Sequence, residues 1–195
     1  MRRFRETVRS LMRERMLDAA YELTTARGWE KVRMSDIAAA VGVSRQTVYN
    51  EFGSKPALGQ ALVMRETERF LLGVREQLDA HPDDLGEAVA AAVTYTLRRA
   101  ADNALLKAVL TSARGGPEDL LPLLTTRSEP VLHAARAMLT ATVRDRWPSL
   151  ETADVDLAID SVVRLTVSHI MLPLEPAEET GWRLARLVLR VLRLE

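Results

Sequence analysis

Two short helical patterns on either side of a glycine, within residues 34–53, constrain the fold more than any other feature of the sequence. Ala38 supplies a small side chain where two steeply crossed helices must touch, and Gly42 can adopt the turn conformation without a Cβ penalty. A small apolar core can form from Ile37, Val41, Val43, Val48 and Phe52. This combination predicts a helix-turn-helix, although any short helical hairpin also needs a small residue at its crossing.

The second helix of this pair is polar on the side away from the small core. Ser44 can cap its start, and the polar side chains that follow are Arg45, Gln46, Thr47, Tyr49 and Asn50. Side chains of these types donate and accept hydrogen bonds at base edges and phosphates. We therefore expect this helix to contact double-stranded DNA.

The segments around this pair also have helical patterns. A first helix is predicted over about residues 8–27, with Gly28 ending it in the left-handed conformation. Ser35 is expected to cap the following helix. Pro56 stands near the start of a long helix that reaches about residue 78. The amino-terminal part therefore predicts three helices followed by a long connecting helix.

The remainder of the chain shows neither sustained alternation of apolar and polar residues nor a hairpin turn of the Asn-Gly or Asp-Gly type. Further helices are expected at about residues 82–101, 102–113, 128–147, 152–172 and 176–194, with the clearest loop at residues 114–117. We predict an all-α protein with a three-helix head in residues 1–55 and a larger helical body in residues 56–195.

Charge and composition limit the setting of this protein. Residues 1–60 hold 11 Lys and Arg against 7 Asp and Glu, while the whole chain is neutral, which favours a polyanionic partner at the amino-terminal end. The chain has no cysteine, so it has neither disulfides nor Cys-ligated metals. No signal segment and no apolar run of about 20 residues is found, so we expect a cytoplasmic protein without membrane contact.

The helix-turn-helix and its flanks resemble the TetR family of transcriptional regulators. The matching stretch covers about residues 13–62. It includes Met16–Ala20, Gly28-Trp29, Met34–Ala38, Gly42–Ser44 and Thr47–Lys55. The resemblance implies a three-helix DNA-binding head, a larger effector-binding body, a homodimer, and a repressor that a small molecule releases from its operator.

The same resemblance assigns positions to the DNA contacts. It places Ser44, Arg45, Gln46, Thr47 and Tyr49 at the major groove and its walls. Lys55 would contact a phosphate, and Arg33 and Ser35 would contact the flanking backbone. Arginines before or within the first helix can also follow phosphates or the minor groove, or belong to a solvated tail. They are Arg2, Arg3, Arg5, Arg9, Arg13 and Arg15.

Residues 152–194 are expected to form the dimer interface, because two long apolar helices end the chain and TetR-like proteins dimerise through their final two helices. On the last helix, one apolar stripe consists of Trp182, Ala185, Leu189 and Leu192. A second stripe consists of Arg183, Arg186, Arg190 and Arg193, which we interpret as a solvated face rather than a second nucleic-acid site.

The effector site has no motif of its own. Its candidates are polar residues on otherwise apolar segments: Tyr95, Arg99, Arg164 and His169. Each also has a structural explanation, such as a pair between Arg164 and Asp160 one turn away. A weaker resemblance to regulators of alkane and fatty-acid metabolism rests on residues 120–127, 146–148 and 162–173. It implies a fatty-acyl or other mainly apolar effector.

Other classes of protein find less support in the sequence. An all-helical enzyme would need convergent chemistry, but His81, His133 and His169 are far apart and no phosphate-binding glycine loop or nucleophile elbow occurs. We expect no catalytic residues, no metal site and no cofactor. A ligand-independent architectural DNA-binding dimer remains an alternative, which the long body disfavours. The sequence does not separate a repressor from an activator.

Overall fold

The computed structural model describes residues 2–106, 120, 122 and 129–194. These residues form α-helices and one short 3-10 helix, and no strand occurs among them, which confirms the all-α prediction. They belong to two compact units. The first holds residues from 1–66 and 104–128, and the second holds residues from 67–103 and 129–195.

The first unit begins with α1 (Arg2–Arg27) and a 3-10 helix (Trp29–Lys31). It continues with α2 (Met34–Val41), α3 (Arg45–Phe52) and the start of α4 (Lys55–Asp79). Its fully buried side chains explain the apolar spacing on these helices. They include Met16, Ile37, Val48, Leu58 and Leu62.

The turn between α2 and α3 follows the sequence prediction. Gly42 has φ 76° and ψ 34°, the left-handed conformation that favours glycine, and its N–H donates to the end of α2. Ala38 is buried at the helix crossing. The short helix pair is therefore a helix-turn-helix.

Several predicted helix starts and caps were wrong. Helix α1 begins at Arg2 instead of about residue 8. Helix α1 ends at Arg27 as predicted, and Gly28 after it has the predicted positive φ, 84°, but its ψ of 146° lies outside the left-handed helical region. Ser35 does not cap α2, because the helix begins one residue earlier and the Asp36 carboxylate accepts the Arg33 N–H at 3.0 Å. A carboxylate inside the first turn thus takes the capping role that the sequence assigned to a preceding hydroxyl.

The second unit holds the end of α4 together with α5 (Leu85–Asp102), α6 (Glu129–Arg146), α7 (Thr152–Met171) and α8 (Ala177–Val191). Helix α5 starts later than the predicted residue 82, because Asp84 caps it through the Glu87 N–H at 2.9 Å. Of the helix predicted over 102–113, residues 104–106 are helical, and the rest lies outside the described residues, as does the predicted loop at 114–117.

Helix α8 buries a different stripe from the predicted one. Ala185 and Leu192 are buried as expected, but Trp182 is 48% exposed. Leu189 packs against the core of its own chain, which includes Leu85 and Val188. Of the predicted stripe, Trp182 is therefore the residue that stays exposed in the single subunit, and the dimer seam in residues 152–194 stays a prediction.

Helix α4 contributes residues to both compact units, which divide between Glu66 and Thr67. The domain boundary predicted from the sequence, between residues 55 and 56, falls at the start of this helix and not at the division between the two compact units. Whether residues 1–55 and 56–195 form separate domains stays a prediction. None of the described helices combines the length and the apolar character that crossing a membrane requires.

Candidate functional site

Helix α3 presents a polar face to solvent. Val48 and Phe52 are buried beneath it, and the Ser44 Oγ accepts the Thr47 N–H at 3.1 Å, which caps the helix as predicted. The exposed residues are Ser44, Arg45, Gln46, Thr47 and Asn50, and Tyr49 is half-buried. Six of the nine predicted DNA-contacting residues therefore lie on one short element.

Side chains one turn apart on α3 are paired with each other. The Gln46 Nε2 donates to the Asn50 Oδ1 at 2.8 Å. The Arg45 Nη2 donates to the Tyr49 Oη at 3.2 Å, and the guanidinium carbon lies 5.2 Å from the centre of the tyrosine ring. These pairs restrict the rotamers of the polar face before any partner binds.

Helix α3 is held against α1 by an acidic residue on its inner flank. The two oxygens of Glu51 accept from the Arg9 Nε at 2.9 Å and the Arg13 Nη1 at 3.0 Å. Burial raises the pKa of Glu51, but the hydrogen bonds and positive charges of the two arginines outweigh it and leave the pKa below its ordinary value. The resulting stabilisation is present above the unfolded pKa and is lost as the pH falls through the lower, folded pKa.

The remaining predicted DNA contacts lie at the starts of two other helices. Arg33 and Ser35 are exposed at the start of α2. Lys55, the first residue of α4, has its Nζ 5.3 Å from the centre of the Trp29 ring and 3.4 Å from the Glu30 carbonyl oxygen. The first compact unit thus carries all nine residues, and their contacts with DNA stay a prediction.

The second unit contains an apolar cavity of about 200 Å³. Its lining residues are Thr67, Phe70, Leu71, Val74, Leu78, Val89, Ala92, Val93, Thr96, Val131, Leu132, Ala135, Leu139, Val162, Val163, Thr166, Val167 and Ile170. The hydroxyls of Thr96 and Thr166 donate to the carbonyls of Ala92 at 2.8 Å and Val162 at 2.7 Å. The described lining therefore carries no charge and few available polar groups.

Comparisons with known proteins identify the family to which a chain with this arrangement belongs. The family model of the bacterial regulatory proteins of the TetR family matches residues 16–62. The model of the carboxy-terminal domain of the bacterial tetracycline repressor matches residues 84–190, more than half of the chain. The chain belongs to the TetR family. It is a helix-turn-helix transcriptional regulator, and its family is one of regulators and not of enzymes.

Two relatives resemble this TetR-family chain over nearly its whole length. The transcriptional regulator AlkX of Mycobacterium tuberculosis is 34% identical over 95% of this chain and 87% of its own. The crystal structure of the TetR-family repressor AlkX from Dietzia sp., implicated in biodegradation of n-alkanes, superposes with a TM-score of 0.76 at 29% identity, covering 93% of this chain and 95% of that one. RolR, at 19% identity and a TM-score of 0.64, shares the fold.

Family membership confirms the predicted class of protein. TetR-family regulators bind operator DNA and dimerise, and they carry a ligand-binding carboxy-terminal domain. In the described part of this chain, no group of three or more His, Cys, Asp or Glu residues is placed to hold a metal ion.

The four predicted effector residues do not meet at the apolar cavity. Tyr95 and Arg99 line a separate groove beside Trp182, although the Tyr95 ring lies 5.9 Å from that of Phe70, a cavity residue. His169 is hydrogen-bonded to the Arg183 Nη2 at 2.9 Å in another groove. Arg164 pairs with Asp160 at 3.0 Å, which is the structural explanation that the sequence offered for this arginine.

The cavity has no signal in the sequence, because its lining has the same composition and spacing as a filled core. Val74 and Leu78, for example, also pack in a buried cluster on the body side of α4. A role for the four polar residues in effector binding stays a prediction.

Proposed function

We propose that this TetR-family regulator is a repressor that leaves its operator when a mainly apolar small molecule occupies the cavity of the second unit. The observation that carries the proposal is the uncharged lining. A charged group moved into such a site without a partner loses several kcal/mol of hydration, whereas each buried methylene contributes about 0.8 kcal/mol. The part of the effector that enters is therefore a hydrocarbon chain, in line with the n-alkane degradation named for the Dietzia relative.

The operator is contacted by the exposed face of α3. Ser44, Arg45, Gln46, Thr47, Tyr49 and Asn50 lie at the major groove, with Arg33, Ser35 and Lys55 at flanking phosphates. A two-fold dimer requires a near-palindromic duplex whose half-sites are about 34–36 Å apart per helical turn. The bacterial cytoplasm, where operator DNA lies, is the compartment we propose.

The dimer forms through residues 152–194, and in particular through the solvent face of α7. That face carries Leu157 and Leu165, eight residues or about two helical turns apart, and Leu172 follows directly after the helix. Each of these leucines is exposed in the single subunit, Leu172 by 64%. Exposed leucines repeating along one helix face are typical of a surface that a second copy covers.

Leu165→Arg is expected to raise the dimer dissociation constant at least tenfold. Leu165 lines a groove with Arg183, Arg186 and Arg190, so a further cation would meet like charges there and be desolvated in the seam. Sedimentation velocity over a concentration series measures the effect. Leu72→Arg places the same substitution at another exposed leucine, on α4, and leaves the dimer unchanged. Equal dissociation constants for both variants would contradict this seam.

Ala135→Phe is expected to abolish effector binding by filling the cavity. Ala135 lines the cavity from α6, whereas Ala137 on the same helix is exposed and provides the matched control, Ala137→Phe. The probes are 1-decanol, decanoate and decyltrimethylammonium, which share one chain length and differ in charge. Isothermal titration should detect binding to the wild type and Ala137→Phe and none to Ala135→Phe.

The pattern across the three probes tests what the cavity recognises. Binding of probes that differ in head group supports a site that recognises their shared hydrocarbon chain. Failure of all three probes to bind the wild type, or equal binding to Ala135→Phe, would contradict the proposed effector site.

A further inference from the structure

Gln46 and Asn50 form the centre of the outward face of α3. At 3.6 residues per turn, residues 46 and 50 stack on the side opposite the buried Val48 and Phe52. Gln46 is the second residue of the helix, and the first turn of a recognition helix is the part that reaches base edges. A base contacted by α3 therefore meets Gln46 before any residue of the second turn.

The hydrogen bond between these two amides leaves Gln46 with a defined set of remaining groups. The Gln46 Nε2 gives one of its two N–H groups to the Asn50 Oδ1, at 2.8 Å. The second N–H and the Oε1 acceptor of Gln46 are not used by this bond. They lie in one plane at the end of one amide, which Asn50 keeps from rotating.

In the major groove, the second N–H and the Oε1 acceptor of Gln46 match the edge of one base. Adenine presents the N7 acceptor beside the N6 amino donor, the pattern that pairs with an amide N–H and carbonyl. We propose that Gln46 reads one adenine in each half-site and that Asn50 is a positioning residue that orients its amide. Orientation before binding reduces the side-chain entropy lost on contact. The inference rests on the proposed contact between α3 and the operator.

The neighbouring Arg45 has a different role in this arrangement. Its guanidinium lies over the Tyr49 ring and donates to the Tyr49 hydroxyl, on the flank of α3. An arginine recognises guanine or phosphate rather than adenine. The preference for adenine therefore depends on Gln46. Substitutions of Gln46 should leave the base or phosphate preferred by Arg45 unchanged.

Selection from a random duplex library, followed by sequencing, tests this inference. The wild type should enrich a half-site with one position at which adenine is preferred about 5- to 150-fold, the range of one bidentate contact. Gln46→Glu should change the preference at that position to cytosine, because a carboxylate accepts from the cytosine amino group. Gln46→Ala should make the enrichment of the four bases nearly equal at that position. If the added charge of Gln46→Glu prevents DNA binding, Gln46→Ala alone tests the adenine contact.

Two further variants separate positioning from general damage. Asn50→Ala should keep adenine as the preferred base at that position with weaker discrimination, which a purely structural role would not change. Gln60→Glu makes the same exchange at an exposed residue of α4 and should leave the motif unchanged. A Gln46→Ala motif identical to that of the wild type at every position would overturn the adenine contact. An unaltered preference in Asn50→Ala would overturn the positioning role. No enriched motif for the folded wild-type dimer would instead contradict the proposed operator binding.

Discussion

Arg65→Ala is expected to lower the free energy of unfolding of the first compact unit by about 2–3 kcal/mol. Arg65 is the buried charged residue of the described part of the chain, with 7% exposure. From α4 its Nη1 donates to the Asp18 carboxylate at 2.8 Å and its Nε donates to the Glu66 carboxylate at 3.0 Å. It also donates to the Leu17 carbonyl at 3.3 Å, so one guanidinium ties α4 to α1.

Removing this cation leaves neighbouring carboxylates without their shared partner. Hydrogen bonds from a charged donor contribute about 1.5–3 kcal/mol each, but Asp18 is about half exposed and water compensates part of its loss. The expected total therefore lies below the 3–5 kcal/mol typical of breaking a fully buried pair.

Urea unfolding and hydrogen exchange measure the effect of this substitution. Exchange should accelerate in α1–α3 and remain unchanged in α7 and α8, because the lost contacts lie in the first unit. Arg65→Lys should recover part of the stability, and Arg75→Ala, at an exposed arginine of the same helix, should have little effect. Equal stability of Arg65→Ala and Arg75→Ala would contradict the assigned role of Arg65.

Gly181→Ala is expected to lower the stability of the second unit by about 2–3 kcal/mol. Gly181 is buried where α8 crosses α5, and a Cβ there would lie 2.7 Å from the carbonyl oxygen of Ala90 as well as against the Thr94 hydroxyl. A backbone atom cannot rotate away, so the two helices must separate. The clash outweighs the 0.5–1 kcal/mol that alanine ordinarily contributes over glycine in a helix.

Gly86→Ala provides the matched control in the same pair of helices. Its Cβ would approach side-chain atoms of Leu189 at 3.1 Å and Asp84 at 3.2 Å, contacts that shifts of a few tenths of an ångström relieve, and it meets no backbone atom at such a distance. Urea midpoints should fall by about 1 M for Gly181→Ala and by much less for Gly86→Ala. A Gly181→Ala protein as stable as the wild type would show that α5 and α8 are not in such close backbone contact.

The sequence predicted the helix-turn-helix accurately because its constraints are local. Gly42 needs a positive φ, Ser44 caps the helix that it precedes, and the buried positions of α3 follow helical periodicity. Helix starts were less predictable wherever a carboxylate inside or before the first turn competes with a nearby serine or proline. Asp36 and Asp84 determine two such starts.

The sequence could not predict features that depend on distant residues. The ion pairs of Glu51 with Arg9 and Arg13, and that of Arg65 with Asp18, join residues more than 35 positions apart. The cavity is equally non-local, because Val74 and Val163 would look the same in a filled core. His169 stood out in the sequence because its partner Arg183 lies 14 positions away on another helix.

Helix α4 contributes residues to both compact units. Arg65 binds α1, and two residues later Thr67 begins the series of α4 residues that line the cavity. A ligand changes DNA affinity only if it favours one arrangement of the protein over another. The proposed effector must therefore bind the operator-free form more tightly, and operator DNA must weaken its binding by the same factor.

Operator affinity with and without 1-decanol tests the central claim most directly. Fluorescence anisotropy of a duplex enriched by the wild type gives the dissociation constant at each ligand concentration. We expect saturating 1-decanol to weaken operator binding by about 5- to 150-fold for the wild type and Ala137→Phe, and to have no effect on Ala135→Phe. Unchanged operator affinity while 1-decanol occupies the wild-type cavity would contradict the account of this protein as a repressor released by an apolar effector.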